Sequence, residues 1–575
     1  MNNNSMRAWI DTIILAFYAI VVGVVVGCAS LGFLWVIHWL NALLLNTNDT
    51  GLYAQLEETS RLYLFLMPVI GAVVVSLIIK YGVAEQRNYG PADVIHAARL
   101  GKGNLSMRVG LVSASASIVS IGSGASVGRY GPVVHLGATL GVWLAQQLKF
   151  TQDRRRTLLA CGVAGAISAS FSAPLAGVVF AHEVVLGRFG SKSVMPIVIA
   201  SVVATTIAEM YGNHGALFML QEINVANTWE YFLFALVGAV GGGLAVFFMS
   251  MMYRANQLAQ RLPVSTVMRA LLGGSLLGVI IVIFPQTFGL GEQVIRDALM
   301  LELTAGVMLA LVFAKLLATS VSFAAGFSGG VFGPALYLGT MMGMVIGLGV
   351  HEFTDAASSP AVYGVAGMGA VISRVIGAPI ATILIIFELT GSYSLTTAVM
   401  VSVVVGGTVT RDFFNQSYFF HQLRERGIEP NESEARQSLR QMPVSKLMDK
   451  VPTVLTADMT LAMAHSKLIA HAIEVAYVVN KNNQLLGQVN IQKFLEINDE
   501  QLMAQPISHF LSEPPVILEA DMNILETFPK LKNFVGVNIP VVTDDASKQF
   551  IGVIHESKLA NAYLQALDKT QRDEH

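Results

Sequence analysis

Three Gly-Pro steps stand in otherwise apolar sequence: Gly90-Pro91, Gly131-Pro132 and Gly333-Pro334. Each has the composition of a helix start. Glycine lets the backbone approach a partner closely, and proline at the first helical position gives up an N–H that the helix does not need. The neighbouring amides have no intrahelical acceptor, and the helix end carries about half a positive charge. Several such ends aimed at one point would hold a dehydrated anion without a fixed cation. A buried lysine in that place would cost about 2.5–3.5 kcal/mol on insertion scales and would let an anion go slowly.

Two of these steps belong to a pattern that occurs twice. Gly128-Arg129-Tyr130-Gly131-Pro132 is matched by Gly330-Val331-Phe332-Gly333-Pro334. Downstream, Cys161-Gly162-Val163-Ala164-Gly165, Ala173-Pro174-Leu175-Ala176 and Glu183 are matched by Gly364-Val365-Ala366-Gly367, Ala378-Pro379-Ile380-Ala381 and Glu388. The displacement runs from 202 residues (Gly128 to Gly330) to 205 (Glu183 to Glu388). Repeats with Gly/Pro-interrupted helices place a binding site where the interruptions meet, near the membrane midplane.

The elements that must carry these residues are apolar helices. The 575 residues are 54% hydrophobic and 13% charged, with mean hydropathy +0.59, whereas soluble chains hold about 25% charge. Apolar runs follow one another from Ile10 to about Gly407, among them Ile13 to Leu45, Leu62 to Ile79 and Tyr231 to Met252. A spanning helix needs about 20 apolar residues. The first run exceeds that and is expected to be tilted or broken; others are short and cut by Gly or Pro. The pattern predicts an all-α polytopic membrane domain with well over ten embedded helices, many of them partial spans. Fifty-two glycines suit close helix packing in lipid.

The net charge of -2 gives no reason to expect nucleic acid. Cys28 and Cys161 read as small buried hydrophobes. The polar N-terminus lacks a cleavage-site pattern, so the first apolar run is expected to be retained. No metal cluster, nucleophile elbow or P-loop pattern argues for an enzyme, a metal or a resident cofactor.

Beyond Thr410 charge returns, and Arg424 and Arg426 just past the last apolar run suit a cytoplasmic exit. From about Met442 two similar β-α-β-β-α units follow one another. The first runs through Val451-Pro452-Thr453, a helix from Leu461 to Ala472, Ala476–Val479, Leu486–Val489 and Lys493-Phe494-Leu495. The second runs through Val516–Leu518, Ile524–Leu531, Ile539–Val542 and Ile551–Ile554. Short alternating runs between Asn/Asp turns support strands. The expected organisation is a transmembrane domain over 1–422, a linker over 423–441, one α/β domain over 442–500 and a second with the tail over 501–575.

On these residues the chain resembles the CLC chloride channel and transporter family. Gly122-Ser123-Gly124-Ala125-Ser126-Val127-Gly128-Arg129-Tyr130-Gly131-Pro132 looks like its GREGP helix start, and Gly326-Phe327-Ser328-Gly329-Gly330-Val331-Phe332-Gly333-Pro334 like its GxFxP start. Asn88-Tyr89-Gly90-Pro91-Ala92-Asp93 stands where the family has GSGIPE, and Ser417-Tyr418 is similar to its anion-capping tyrosine. The α/β units resemble a pair of CBS domains, a common appendage of the family. The resemblance implies an inverted-repeat fold, a homodimer with one pathway per subunit, and chloride or a similar small anion as cargo. It implies anion contacts from Asn88, Tyr89, Gly90, Arg129, Tyr130, Gly131, Val331, Phe332, Gly333 and Tyr418. Amides would come from Val331 and Phe332, and a hydroxyl from Tyr418.

The departures bear on mechanism. The family's gating glutamate is Tyr130 here, and a phenol, titrating near 10, is neutral at pH 7. Tyr130 can donate a hydrogen bond or plug a path; it cannot imitate an anion. Val184 stands where coupled members usually have a second glutamate. The family's inner-mouth serine falls on Asn88, or on Tyr89 with a one-residue shift. Loss of both carboxylates points to a passive channel or uniporter. His182 and Glu183 form a candidate proton relay, which keeps a proton-coupled antiporter open. A non-conducting sensor built on the CBS pair is the third reading. Phe332 and Tyr418 fit chloride better than fluoride export.

Plainer roles stand beside these. Tyr130 could be a structural plug, Tyr89 an interfacial aromatic, Asn88 a helix cap and Glu388 a structural mirror of Glu183. His135, three residues after Pro132, is a candidate for a place near the path, with a packing role as the plainer alternative. Arg154-Arg155-Arg156 reads as a solvated loop or headgroup contact. CBS pairs often bind adenine nucleotides, but the signature positions read Asn490 and Lys493, then His555 and Lys558, with lysine replacing both ribose carboxylates. The compact build suits a cell inner membrane with the CBS pair in the cytoplasm.

Overall fold

The computed structural model describes residues 3–45, 55–56, 59–101, 103–211, 224–411, 417–429, 436, 439–440, 442–450, 454–471, 475–490, 500–532, 534 and 536–574. The chain divides into two compact units, Met1–Pro430 and Asn431–His575.

Glycine and proline set the helix ends in the first unit. Its helices are α1 (Asn3–Leu45), α2 (Arg61–Gly82), α3 (Pro91–Arg99), α4 (Met107–Gly122), α5 (Tyr130–Gln147), α6 (Gln152–Phe171) and α7 (Pro174–Phe180), which continues as a π-helical turn over Ala181–Leu186. There follow α8 (Ser191–Met210), α9 (Glu230–Arg261), α10 (Thr266–Ile283), α11 (Glu292–Leu299), α12 (Ala305–Ala325), α13 (Phe332–His351), α14 (Pro360–Ile376), α15 (Pro379–Thr390), α16 (Tyr393–Val409) and α17 (Tyr418–Glu425). Among the described residues seven helices are long and apolar enough to cross a membrane, and five shorter apolar helices accompany them. The first run is one unbroken helix of 43 residues. Its apolar part, Thr12–Leu45, has 34 residues; at about 1.5 Å per residue it is longer than the roughly 30 Å hydrocarbon core, so it tilts or extends beyond it.

The repeat is visible element by element, α3–α8 against α11–α16. Their first residues lie 201 (Pro91 and Glu292), 202 (Tyr130 and Phe332) and 205 (Pro174 and Pro379) positions apart. Within each repeat a helix pair touches backbone to backbone. A Cβ on Gly137 or Gly162 would strike the other's carbonyl oxygen, joining α5 to α6; Gly339 and Gly367 do the same for α13 and α14. Such contacts replace the hydrophobic drive that lipid removes.

Three expectations change. Cys161 is buried, but Cys28 is exposed on α1, beside exposed Val24 and Val25 on an apolar outer surface. Arg154-Arg155-Arg156 is not a loop. It lies in the first turns of α6, with Arg155 donating to the Phe150 carbonyl at 2.9 Å and Arg156 buried. Helix α17 runs past residue 422: Leu423 is fully buried in the first unit's core and Arg426 pairs with Asp93 at 2.8 Å.

The second unit holds β1 (Leu455–Thr456), α18 (Leu461–Ala470), β2 (Val475–Val479), β3 (Leu485–Asn490), α19 (Glu500–Met503), β4 (Leu518–Glu519), α20 (Ile524–Leu531), β5 (Asn538–Val542), β6 (Phe550–His555) and α21 (Glu556–Glu574). Two three-stranded sheets share one plan: β1 parallel to β2 and β2 antiparallel to β3, then β4, β5 and β6 likewise. Even the register shift recurs, at Val478/Val479 and Val541/Val542. The sheets join through Tyr477, Val479 and Leu485 against Val542 and Phe550. Asn483, at φ 58° in the first hairpin turn, donates its side-chain amide to the Phe550 carbonyl at 2.8 Å. Val451-Pro452-Thr453, Ala472 and Lys493-Phe494-Leu495 lie outside the described residues.

Candidate functional site

Five helices of the first unit begin at a glycine or alanine next to proline, and what satisfies their amides differs. At α3, Asp93 accepts from the Gly90 amide at 3.0 Å and pairs with Arg87 at 2.7 Å and Arg426 at 2.8 Å. The expectation that Gly90 offers its amide to an anion fails here, because a carboxylate already holds it. At α7, Leu175 and Ala176 donate to Glu388 at 2.8 Å each; at α15, Ile380 and Ala381 donate to Glu183 at 3.1 and 2.8 Å. Each repeat's glutamate caps the other repeat's half-helix.

The starts of α5 and α13 have no such cap. Gly128 and Gly330 exchange both backbone hydrogen bonds, at 2.6 and 2.7 Å, in an isolated antiparallel bridge. The two helices therefore start side by side, related as by a two-fold axis. A Cβ on Gly131 would come within 3.1 Å of the Gly330 Cα, and one on Gly333 within 3.2 Å of the Gly128 Cα. The amides of Tyr130, Gly131, Val331, Phe332 and Gly333 have no acceptor among the described residues. Tyr130, Val331 and Phe332 are buried. Buried amides without acceptors are rare in folded chains, and two adjacent sets at helix N-termini form a pocket of positive potential.

A cavity of about 520 Å³ reaches this point from one side; Asn88, Tyr89, Gly90, Val331 and Tyr418 are in its wall, with Lys80, Arg87, Arg269 and Arg426. Asn88 donates to the Gly326 and Phe327 carbonyls at 3.1 Å each, so it ties down the loop before α13, while its buried Oδ1 has no partner among the described residues. The Tyr89 ring lies under the Arg87 guanidinium, 3.7 Å from ring centre to Cζ. The Tyr89 hydroxyl and then Arg87 hydrogen-bond to Glu85 and hold that loop carboxyl below its usual range. Tyr418 starts α17 after the Ser417 cap, packs edge-on to Phe323 with centroids 6.3 Å apart, and shares a hydrogen bond with Gln422.

Arg129, Tyr130 and Phe332 stand outside that wall. The Tyr130 ring stacks on Phe171 at 4.1 Å and leans on Phe332 at 5.0 Å, and Phe171 meets Phe332 at 5.1 Å. The three aromatic rings fill the space beside the uncapped amides. The Tyr130 hydroxyl donates to Glu292 Oε1 at 3.4 Å and accepts from Arg129 Nη2 at 3.5 Å. The anion contacts expected from sequence are thus split between a cavity wall and an aromatic cluster.

The candidate proton relay is engaged elsewhere. His182 Nδ1 meets the Val178 carbonyl at 2.9 Å, its Nε2 meets Ser193 at 3.3 Å, and its ring stacks on Phe189. Glu183 is the cap described above, and Val184 is buried with its carbonyl bound by Arg99 at 2.8 Å. His135 is buried with neither ring nitrogen hydrogen-bonded among the described residues, 6.0 Å from the Tyr89 ring. In the second unit, Lys558 pairs with Asp449 at 2.7 Å and His555 Nδ1 bonds Ser557 at 2.7 Å. Both are engaged within the protein, and Lys493 lies outside the described residues.

Three charged residues were not singled out from sequence. Lys315 is fully buried on α12 and donates to the Thr287 and Gly289 carbonyls at 3.1 Å each. Glu230 is fully buried and takes Tyr363, Ser358 and Asn227 donors. Glu292 meets Arg129 and Tyr130. A lysine inside an apolar run was the available signal for Lys315, since intramembrane charges are rare and paired; Glu230 stands at the edge of the run that begins at Tyr231.

The family model for voltage gated chloride channels matches residues 70–411, and the model for CBS domains matches 444–499 and 507–565. The chain is 31% identical over 363 residues to a ClcB-like chloride channel protein of Ralstonia nicotianae, covering 62% of this chain and 85% of that one. It is 28% identical over 411 residues to the voltage-gated ClC-type chloride channel ClcB of Escherichia coli, covering 70% and 96%. Its fold is similar to that of a slow cyanobacterial Cl-/H+ antiporter (TM-score 0.65, 22% identity, 72% of this chain and 97% of that one). It is also similar to a eukaryotic CLC transporter (TM-score 0.61, 18% identity, 95% and 97%). With the repeated helix starts, the bridge between them and the tandem sheets, these matches place the chain in the voltage-gated chloride channel (CLC) family, as a multi-pass membrane protein with a C-terminal CBS pair.

Proposed function

We propose that this protein carries chloride or a similar small anion through the membrane passively, as a channel or uniporter. The observation that carries the reading is the contrast among the helix starts: α3, α7 and α15 are closed by carboxylates, whereas α5 and α13 face each other uncapped. An anion accepts from the Val331, Phe332 and Gly333 amides of one repeat and the Tyr130 and Gly131 amides of the other. It enters from the cavity that Asn88, Tyr89 and Tyr418 line. Tyr130, Phe171 and Phe332 bar the way beyond. Proton coupling lacks a carrier at Val184, and His182 and Glu183 have structural partners. The chain functions as a homodimer in a cell inner membrane with the CBS pair cytoplasmic; the exposed apolar residues Val202 and Val404, on the repeat-related helices α8 and α16, offer a face for a second copy.

A second reading, proton-coupled antiport, has one specific support: Glu292 places a carboxylate at the Tyr130 hydroxyl. Purified full-length protein in chloride-loaded liposomes separates the two. Chloride efflux without stoichiometric proton uptake is expected. Uphill proton movement driven by a chloride gradient would establish antiport instead, and no anion flux at all would leave the CBS-based sensor.

A further inference from the structure

Arg269 stands where electrostatics argues against a cation. It is the fourth residue of α10 (Thr266–Ile283), whose first turn holds no acid. A helix N-terminus carries about half a positive charge, so a guanidinium there is repelled rather than held. Arg269 is half-buried, and its Nε is buried without a partner among the described residues. No carboxylate of a described residue pairs with its side chain. Lys80 differs in that it lies in the last turn of α2, where the helix end favours a cation. It too has no acid partner among the described residues, and its Nζ lies 5.7 Å from the Tyr81 ring centre.

Packing brings the two cations to one wall. Gly278 of α10 meets Phe65 of α2, and Gly274 meets Pro68, Val69 and Ala72. The helices are therefore antiparallel, and the same register carried onward places Arg269 beside Ser76, with Lys80 one turn beyond. All three line the cavity of about 520 Å³ described above. Ser76 is 7% exposed, and its Oγ has no partner among the described residues. Elsewhere in the wall Arg87 and Arg426 share Asp93, at 2.7 and 2.8 Å. Four cations thus stand against two acids, Asp93 and Glu425, and Asn256 and Gln260 of α9 add neutral donors. Pockets of roughly 300–1,000 Å³ take drug-sized ligands. One monatomic ion neither fills this cavity nor balances its charge.

We propose that the cavity is a regulatory site for an organic phosphate with two or more negative charges, anchored by Arg269 and Lys80, and that its occupant closes the anion entrance. Binding stands on the wall itself; closure rests on the anion-transport reading. Phosphate oxygens accept paired hydrogen bonds from a guanidinium and meet an ammonium as a point charge. The bound molecule lies across the entrance that Asn88, Tyr89 and Tyr418 line, so chloride does not pass while it is there. A vestibule that only gathers chloride makes the opposite prediction: a polyvalent anion would act through ionic strength alone.

The test uses full-length protein and fructose 1,6-bisphosphate, a probe without the adenine that a CBS pair would select. Chloride and ionic strength are held constant, with sulfate as the control anion. The readouts are melting temperature in detergent and chloride efflux from liposomes with the probe on both faces of the membrane. The bisphosphate is expected to raise the melting temperature saturably and, at about ten times its half-saturating concentration, to slow efflux about tenfold. Glucose 6-phosphate, with one phosphate, is expected to need about tenfold more for the same stabilisation. Arg269→Gln is expected to raise the half-saturating bisphosphate about tenfold, and Arg269→Lys by about threefold or less. Each variant's inhibition is measured against its own efflux without probe. Sulfate matching the bisphosphate, or equal half-saturation in wild type and Arg269→Gln, overturns the site. Efflux unchanged at saturating bisphosphate overturns closure and leaves the transport reading standing. A shift of half-saturation by Arg269→Gln with no chloride efflux from any variant supports the site and removes the transport reading. Should Arg269→Gln not fold, Lys80→Gln carries the test: half-saturation is expected to rise about threefold, and no change overturns the proposal.

Discussion

At the residue scale, the reading proposed above rests on Tyr130. Its ring, with Phe171 and Phe332, fills the space beside the uncapped amides. Tyr130→Ala removes one of the three rings, and chloride efflux is expected to rise by about tenfold, equivalent to about 1.4 kcal/mol off the barrier. Unchanged efflux would make the ring a bystander. The position of Tyr130 was legible in the sequence, because a Gly-X-X-Gly-Pro pattern announces a helix start and the repeat supplies a second copy for comparison. The capture of the Gly90 amide was legible too: an acid three residues after a helix cap is a capping-box signal, and Asp93 stands there. Glu292 was not. Its partner is 163 positions away (129 to 292), and no local spacing encodes such a pair.

At the element scale, glycine contacts and crossed caps join the helices. Gly162→Ala and Gly367→Ala each place a methyl group against a facing carbonyl, and each is expected to lower stability by about 1–3 kcal/mol. Glu183→Gln and Glu388→Gln weaken caps of the same geometry, so similar losses of about 0.5–2 kcal/mol are expected from the two. Detergent-solution melting of the four variants measures both effects; a loss confined to one member of a pair would break the equivalence of the repeats. Element order and pairing could be read from the duplicated motifs. The crossing of the caps could not, since the nine-residue spacing from Pro174 to Glu183 fits a glutamate bonding within its own repeat as well as across to the other. The α1 helix shows a different limit: hydropathy gave an apolar run, but nothing in the run fixed whether it breaks.

At the scale of the whole molecule, the chain is two compact units with separate cores. Unfolding of the full chain is therefore expected in two transitions rather than one. Asn483→Ala removes a bond between the two sheets of the C-terminal unit and is expected to lower that unit's transition alone, by about 1 kcal/mol. A shift of both transitions in urea titration of the detergent-solubilised protein would show that the units unfold together. The sheet plan was legible from two runs of alternating residues with matching turns. The joining of the two sheets through Tyr477 and Phe550 was not, because it depends on which face of each sheet is turned inward.

The crossed caps also set an order of events during synthesis. Leu175 is made 213 residues before the carboxylate of Glu388 that its amide binds. At about 5–20 residues per second the ribosome needs about 10–40 s to supply that partner. For that interval the start of α7 lacks the carboxylate that caps its amides in the finished fold. The first repeat therefore enters the membrane as an unfinished half, dependent on a sister segment still being translated. A ribosome stalled before Glu388 would leave a chain that is inserted but open to quality-control proteases.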